Sequence, residues 1–227
     1  MKIIATISLI VLSTNLFGQT FDVTAGVNFS KFYEIHRYDP GHYTSTYDTR
    51  PGYLVRFGLN NVYFGKLKTR INITVENYGG YINVSDGSPA GSFGTKGDIR
   101  KTNLSLGFLP IVLTLFDSLR FSSGITLSGL IHENVDGAYH YNAGGRSELV
   151  DIEDYSPYNA PLVFGYRAGL ANTIKLGLKL SITIQYTFDF GLSREFAEFP
   201  WRTRSMRHGF AVGIQKRKPD TITPAFN

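Results

Sequence analysis

Residues 21–30, FDVTAGVNFS, alternate apolar and polar side chains without a break. Successive side chains of a β-strand point to opposite faces, so this stretch predicts a strand with one apolar and one polar face. Segments of this kind recur about eight times along the chain, and the connections between them alternate between long and short. This rhythm predicts antiparallel strands whose short turns all lie at one end. The apolar set of the first strand is Phe21, Val23, Ala25, Val27 and Phe29.

The later strands are predicted from the same alternation. They cover approximately residues 52–64, 67–76, 99–116, 119–132, 162–170, 178–189 and 210–214. Short turns are predicted at Gly65–Lys66, Asp117–Ser118 and Asn172–Lys175, and long loops at 34–50, 85–97, 133–159 and 191–205. Pro110 has no N–H to donate to a sheet, so we expect a bulge or local break in the fourth strand.

The apolar faces indicate a membrane. In lipid every backbone N–H and C=O must be bonded within the protein, and among strand architectures only a closed barrel achieves this. Such barrels carry short turns on the periplasmic side and long loops outside. The predicted fold class is therefore all-β, an eight-stranded antiparallel up-and-down transmembrane β-barrel. The alternative is a soluble lipocalin-like barrel, but that fold would place its apolar face inside.

Three parts of the chain are predicted. Residues 1–19 form a cleavable signal peptide, with Lys2 before an apolar run too short to span a bilayer. Residues 20–216 form the barrel, and 217–227 a frayed C-terminal tail. The protein is thus expected in the outer membrane of a gram-negative bacterium. With no cysteine, it has neither a lipid-anchoring cysteine nor disulfides.

Several motifs resemble the PorT-like outer-membrane β-barrel domain that is common in Bacteroidota. The resemblance covers nearly the whole mature chain and implies the same fold and location, but no particular activity. The matching motifs are Gly26-x-Asn28-x-Ser30, Pro51-Gly52-Tyr53, Glu76-x-Tyr78-Gly79, Leu109-Pro110 and residues 185–188 with Gly191-Leu192.

The polar face of the strands carries charges that would point into the lumen. The interior of an eight-stranded barrel is just wide enough to be filled by side chains, and buried charges need partners. We therefore predict arginine–carboxylate pairs that plug the lumen, with a narrow gated pore as the alternative. The predicted inward set is Arg56, Arg70, Glu76, Arg167 and Asp189.

A second candidate site lies near the C-terminus. Trp201, Arg202, Arg204 and Arg207 are predicted at the outer rim. Arginines there can bind lipopolysaccharide phosphates, and tryptophan is enriched at the membrane interface. The alternative is an ordinary solvated loop.

No catalytic residues, metal ligands or cofactor site are predicted. His208 lacks the strand-borne serine of a lipid A deacylase, the histidines of the first loop are loosely spaced, and the acidic run 151–154 lacks the glycine pattern of a calcium loop. The net charge of +5 is scattered, so nucleic-acid binding is not expected. We predict a monomeric, non-enzymatic barrel that serves envelope integrity, adhesion or docking to a secretion or transport complex. Its expected partners are outer-membrane lipid and proteins that bind its extracellular loops or periplasmic turns. A lipid hydrolase or acyltransferase is the alternative.

Overall fold

The computed structural model describes residues 20–34, 43–64, 67–88, 91–116, 118–143, 146–152, 160–177, 179–196 and 203–216. Within these residues the chain forms nine strands and no helix. The strands are β1 (Thr20–Glu34), β2 (Tyr43–Phe64), β3 (Leu67–Ser88), β4 (Gly91–Thr114), β5 (Leu119–Ala143), β6 (Arg146–Ile152), β7 (Leu162–Lys175), β8 (Leu180–Gly191) and β9 (Thr203–Lys216).

Eight of the strands close into a ring. Its order is β1, β2, β3, β4, β5, β7, β8 and β9, and β9 pairs with β1 to close it. Every pairing is antiparallel. The predicted eight-stranded antiparallel up-and-down barrel is therefore confirmed. The short β2–β3, β4–β5 and β7–β8 connections share what we call the turn end, and the opposite end is the loop end.

The two faces of the ring differ in polarity. Along β7, buried positions 163, 165, 167, 169 and 171 alternate with outward positions, most of them exposed. The outward face is apolar around the barrel, and the inward face carries serine, threonine, asparagine and charged residues. A water-soluble barrel has the reverse polarity. Exposed apolar residues include Val27, Phe57, Leu106, Ile125, Phe164, Leu170, Ile184, Phe210, Val212 and Ile214.

Glycines permit the close approach of β1 and β9. A Cβ at Gly26 would lie 1.9 Å from the main-chain oxygen of Phe210, and one at Gly213 would lie 1.9 Å from that of Val23. Non-bonded atoms cannot approach so closely, so any larger residue requires the strands to separate. The seam that closes the ring therefore depends on residues without a Cβ.

The bulge predicted near Pro110 is confirmed. The register of β4 against β5 shifts between Phe108 and Ile111, which brackets the proline. Because proline cannot donate a hydrogen bond, the ladder is interrupted at this position. The shift explains why the alternation in the sequence becomes ambiguous there.

Most of the predicted long loops contain residues that belong to strands. The loop predicted at 85–97 is wrong, because β3 continues to Ser88 and β4 begins at Gly91. The insertion predicted at 133–159 likewise contains the end of β5 and all of β6, and β2 already begins at Tyr43. These segments are rich in glycine, serine and threonine. Their backbone ladder forms without the apolar alternation by which strands are recognised.

The extra strand length forms an open sheet at the loop end, which we call the wall. It consists of residues 43–49, 80–88, 91–99, 135–143 and 146–152. β1 pairs with β2 only as far as Ser30 and Arg50, and β7 pairs with β5 only as far as Leu162 and Gly129. At the loop end, β2–β6 therefore extend further from the barrel than β1, β7, β8 and β9.

Two further boundaries differ from prediction. The turn predicted at Asn172–Lys175 is wrong, because these residues pair with β8 and the connection to β8 follows Lys175. The last strand extends over Thr203–Lys216 rather than 210–214. In both cases polar residues near a strand end continue the hydrogen-bond ladder, although their composition is typical of loops. Within the described part of the chain, no helix has the length and apolar character to cross a bilayer.

Candidate functional site

The lumen holds three groups of charged residues between the turn end and the loop end. At the turn end, Arg70 on β3 pairs with Asp22 on β1, with Nη2 lying 2.9 Å and 3.3 Å from the two carboxylate oxygens. The amide of Asn60 also donates to Asp22 and accepts from Arg120 Nη1 at 3.1 Å. Three strands and the start of β5 are thereby joined across the interior.

The second group lies deeper in the lumen. Arg167 Nε is 2.5 Å from Asp189 Oδ1, which links β7 to β8. Arg207 Nη1 is 2.8 Å from Glu76 Oε1, which links β9 to β3 across the barrel. Ser105 donates to the same oxygen of Glu76 at 3.1 Å. All four charged side chains are at most 3% exposed, so each charge has exchanged water for a partner in the protein.

Arg56 lies among these pairs without a carboxylate of its own. Its Nε donates to Thr74 Oγ1 at 3.1 Å and its Nη2 to Thr187 Oγ1 at 3.5 Å. Arg167 Nη1 donates to the same Thr74 oxygen at 3.0 Å. Two guanidinium groups therefore share one hydroxyl acceptor in the interior.

The third group closes the lumen near the loop end. Glu195, in the connection between β8 and β9, points inward and is fully buried. Lys101 Nζ donates to its main-chain oxygen at 2.9 Å and lies 3.3 Å from Oε2, and the Tyr78 hydroxyl donates to Oε2 at 2.9 Å. Asn103 donates to that hydroxyl at 3.0 Å. A loop carboxylate is thus held by a lysine and a tyrosine of the barrel wall.

The environment of Glu195 favours its charged form. Burial alone raises the pKa of its carboxyl group. The positive charges of Lys101 and Arg207, with the hydrogen bond from Tyr78, outweigh burial and hold the pKa below the usual value of a glutamate. The carboxylate therefore stays ionised at neutral pH.

An apolar cluster lies beside this carboxylate, and we call it the lid cluster. Phe196, next to Glu195, packs on Phe32 with ring centroids 5.5 Å apart. The ammonium group of Lys101 lies 4.1 Å from the centroid of the Phe196 ring. The six residues are Phe32, Tyr78, Ile82, Val84, Ile99 and Phe196, all fully buried. The loop-end opening is thus filled by apolar side chains.

The structure brings the five predicted lumen residues together. Arg56, Arg70, Glu76, Arg167 and Asp189 are all inward and buried. Arg70 pairs with Asp22 rather than with another member of the set. Glu195, Lys101 and Tyr78 were missed. Lys101 is in phase with inward Asn103 and Ser105, but no periodicity exists in a loop to predict the direction of Glu195.

The predicted outer-rim site is only partly present. Arg207 does not lie at the rim: it is 2% exposed inside the lumen and pairs with Glu76. It is in phase with Gly209 and Ala211, opposite to outward Phe210, so extending the alternation backward assigns it correctly. Arg204 is partly exposed on the outward face of β9. Trp201 and Arg202 lie outside the described residues.

The described residues contain no group of three or more histidine, cysteine, aspartate or glutamate side chains placed to hold a metal ion. His208 lies on the outward face, where its Nδ1 is 2.8 Å from the Tyr186 hydroxyl. Its ring also lies 5.1 Å from that of Phe188. His208 is therefore part of an aromatic group on the outer surface.

No protein-family model and no curated protein match the chain. Among solved structures, Ail of Yersinia pestis, crystallised with the heparin analogue sucrose octasulfate, is 10% identical (TM-score 0.41; 88% of this chain, 99% of that chain). Neisserial surface protein A is 11% identical (0.42; 87% and 97%) and the outer membrane protein OprG of Pseudomonas aeruginosa 10% (0.43; 89% and 97%). The resemblance to the PorT-like family is not among these matches and stays a prediction.

The class of the protein follows from its own geometry. The chain forms a closed β-barrel with an apolar exterior, a charged and packed lumen, and a wall of extended strands at one end.

Proposed function

We propose that this protein is a non-enzymatic outer-membrane β-barrel of a gram-negative bacterium that presents its wall and loops outside the cell. The apolar belt supports the location, because exposed residues such as Leu106, Ile125 and Phe210 are each about half exposed and need lipid to cover them. Export by a cleavable signal over residues 1–19 and membership of the PorT-like kind belong to this proposal.

The packed lumen is the observation that carries the proposal. Four buried ion pairs fill the interior, and the lid cluster fills the loop end. A conducting pore needs a continuous water-filled path, whereas side chains occupy this lumen from Asp22 to Phe196. The protein therefore acts through its surface, by display or docking, rather than by conduction.

The wall is the surface best suited to this role. Its outward face is polar, in contrast to the belt below it, and therefore suits water rather than lipid. A sheet that stands beyond the membrane offers a rigid surface for adhesion or for docking to a partner complex. Exposed residues of this face include Thr44, Thr46, Asp48, Asn83, Lys96 and Asp136.

Planar-bilayer recording of the refolded protein tests the closed lumen. We expect no steady unitary conductance from the wild-type barrel. Phe196→Ala combined with Glu195→Ala removes both loop side chains from the opening and is the variant in which brief openings are expected. Steady channels of one defined size in the wild-type protein would refute the plug.

Proteolysis of intact cells tests the orientation. Protease added outside is expected to cut the long connections of the loop end and to spare the turns at 65–66, 115–118 and 176–179. Cleavage confined to these three turns would reverse the orientation.

Contact with lipopolysaccharide is the remaining part of the proposal and now rests on Trp201, Arg202 and Arg204. The double variant Arg202→Ala, Arg204→Ala is expected to weaken lipid A binding. Unchanged binding would remove this site from the proposal.

A further inference from the structure

The buried charges of the lumen do not balance. Among the described residues, five basic and four acidic side chains are buried. Four of the basic residues have a carboxylate of their own in the pairs Arg70–Asp22, Arg167–Asp189, Arg207–Glu76 and Lys101–Glu195. Arg56, which is fully buried, is the cation left over. A buried charge without a counter-charge is strongly unfavourable, so the structure calls for a further anion.

Unused hydrogen-bond donors lie on Arg56 and on two residues that are linked to it through Thr74. Its Nη1 has no partner, and neither Asn72 Nδ2 nor Arg167 Nη2 donates a hydrogen bond. Arg167 Nη2 lies 3.8 Å from Glu76 Oε1, beyond hydrogen-bond distance. Arg167 Nη1 binds both Asn72 Oδ1 at 2.9 Å and Thr74 Oγ1 at 3.0 Å, which places these donors around two neighbouring inward residues of β3.

The chemistry of this cluster selects its ligand. Donors alone remain unused on Arg56, Asn72 and Arg167, and a group that only accepts hydrogen bonds satisfies all three. Water brings two protons that need acceptors and leaves the positive charge uncompensated. The lumen of an eight-stranded barrel has little free space, which excludes large anions. A small monovalent anion matches both the missing charge and the unused donors.

We propose that the lumen binds one chloride-sized anion between Arg56, Arg167 and Asn72. The anion supplies the fifth negative charge that the buried side chains lack. This site does not depend on the partner or orientation proposed above, because it lies wholly within the barrel.

Chloride linkage tests the site. The refolded full-length protein is unfolded with urea in sodium gluconate, and sodium chloride replaces gluconate at constant ionic strength. A ligand that binds only the folded state at one hundred times its Kd raises the folding equilibrium constant about one hundred-fold. We expect such a rise for the wild type. Arg120→Gln, which changes a partly exposed arginine at the turn end, is the matched control and should keep it.

Two variants locate the effect. Arg56→Gln removes the unpaired charge and is expected to abolish the chloride dependence. Asn72→Asp keeps the side-chain shape and provides a carboxylate beside Arg167, so the variant is expected to fold well in gluconate and to show no dependence on chloride. Chloride dependence that persists in either folded variant would overturn the site.

Chlorine-35 NMR gives a readout that needs no variant. Exchange with a protein site broadens the chloride resonance, and bromide should displace it and restore the line width. If the wild type shows neither broadening nor chloride-dependent unfolding, the lumen is neutralised in another way and the proposal fails.

Discussion

Lys101 and Glu195 form a buried contact between a strand and a loop, with Lys101 Nζ 2.9 Å from the main-chain oxygen of Glu195 and 3.3 Å from its carboxylate. The side chains are 2% and 0% exposed. This contact fixes the β8–β9 connection inside the barrel and brings Phe196 into the lid cluster.

Replacing the lysine tests its contribution to stability. Lys101→Met leaves the Glu195 carboxylate buried without its counter-charge, and removing one partner of a buried pair costs about 3–5 kcal/mol. We expect a loss of this size in urea unfolding. Lys96→Met, an exposed lysine of the same strand, should change stability by less than about 0.5 kcal/mol. Equal effects of the two changes would contradict the contact.

The low pKa of Glu195 makes the loop sensitive to acid. Its folded pKa lies below its unfolded value, so the charged carboxylate stabilises the fold above the unfolded pKa, near 4.3, and this stability is lost as pH falls through the folded pKa. We expect the fluorescence of the only tryptophan, Trp201, to change in this range. Glu195→Gln should remove that transition, and a transition that survives this variant must come from another group.

The two arginines of β9 should behave differently. Arg207→Met leaves Glu76 without its closest cation and is expected to lower the free energy of unfolding by about 3–5 kcal/mol. Arg204→Met changes a partly exposed side chain and should cost less than about 1 kcal/mol. Denaturant titration in micelles compares them. If Arg204→Met were the more destabilising of the two changes, Arg207 would have to lie at the rim rather than in the lumen.

The lipid belt can be tested with a single charge. Ile125→Arg places a guanidinium on the outward face of β5 and should destabilise the barrel in lipid vesicles by about 2–4 kcal/mol. Thr46→Arg, on the outward face of the wall, should be nearly neutral. If both variants fold equally well in vesicles, lipid does not cover Ile125.

One added methyl group at the β1–β9 seam should destabilise the barrel. Gly26→Ala brings a Cβ against the main chain of Phe210. The overpacking should lower the free energy of unfolding by about 1–3 kcal/mol. Gly177→Ala has no atom within 4 Å of its new Cβ and should be tolerated. The temperature at which the folded band disappears in a gel-shift assay measures both. A seam that tolerates alanine would have to be wider than observed.

The sequence predicted the ring where apolar and polar residues alternate. β1, β7 and β8 show this pattern because their outward face is apolar and their inward face lines the polar lumen. The wall was missed because its outward face is polar and its strands are rich in glycine, serine and threonine. Its apolar residues, such as Ile82, Val84 and Ile99 of the lid cluster, lie on the inward face, so the alternation in the sequence is weak there. Pro110 predicted the bulge because proline has no N–H, and a strand residue without an N–H interrupts the hydrogen-bond ladder.

The sequence predicted which charged residues line the lumen, but not which of them form pairs. Alternation assigns Arg56 and Arg70 to the lumen, but it does not say that Arg70 meets Asp22 and that Arg56 meets no carboxylate, since this depends on strand stagger and side-chain reach. Asp22 was not in the predicted set although it is in phase with Asn28 and Ser30. The periodicity of the sequence does not predict the inward position of Glu195, because Glu195 lies in a loop and is held by its contact with Lys101.

The lumen pairs also bear on how the barrel assembles. Arg207 and Glu76 are 131 residues apart in sequence, and Lys101 and Glu195 are 94 apart. Neither pair exists until the last strand or the last connection has arrived, so before closure these charges must stay in contact with water. If the barrel enters a membrane as proposed, single strands inserted into lipid would carry these charges without partners, so we expect the ring to close during insertion.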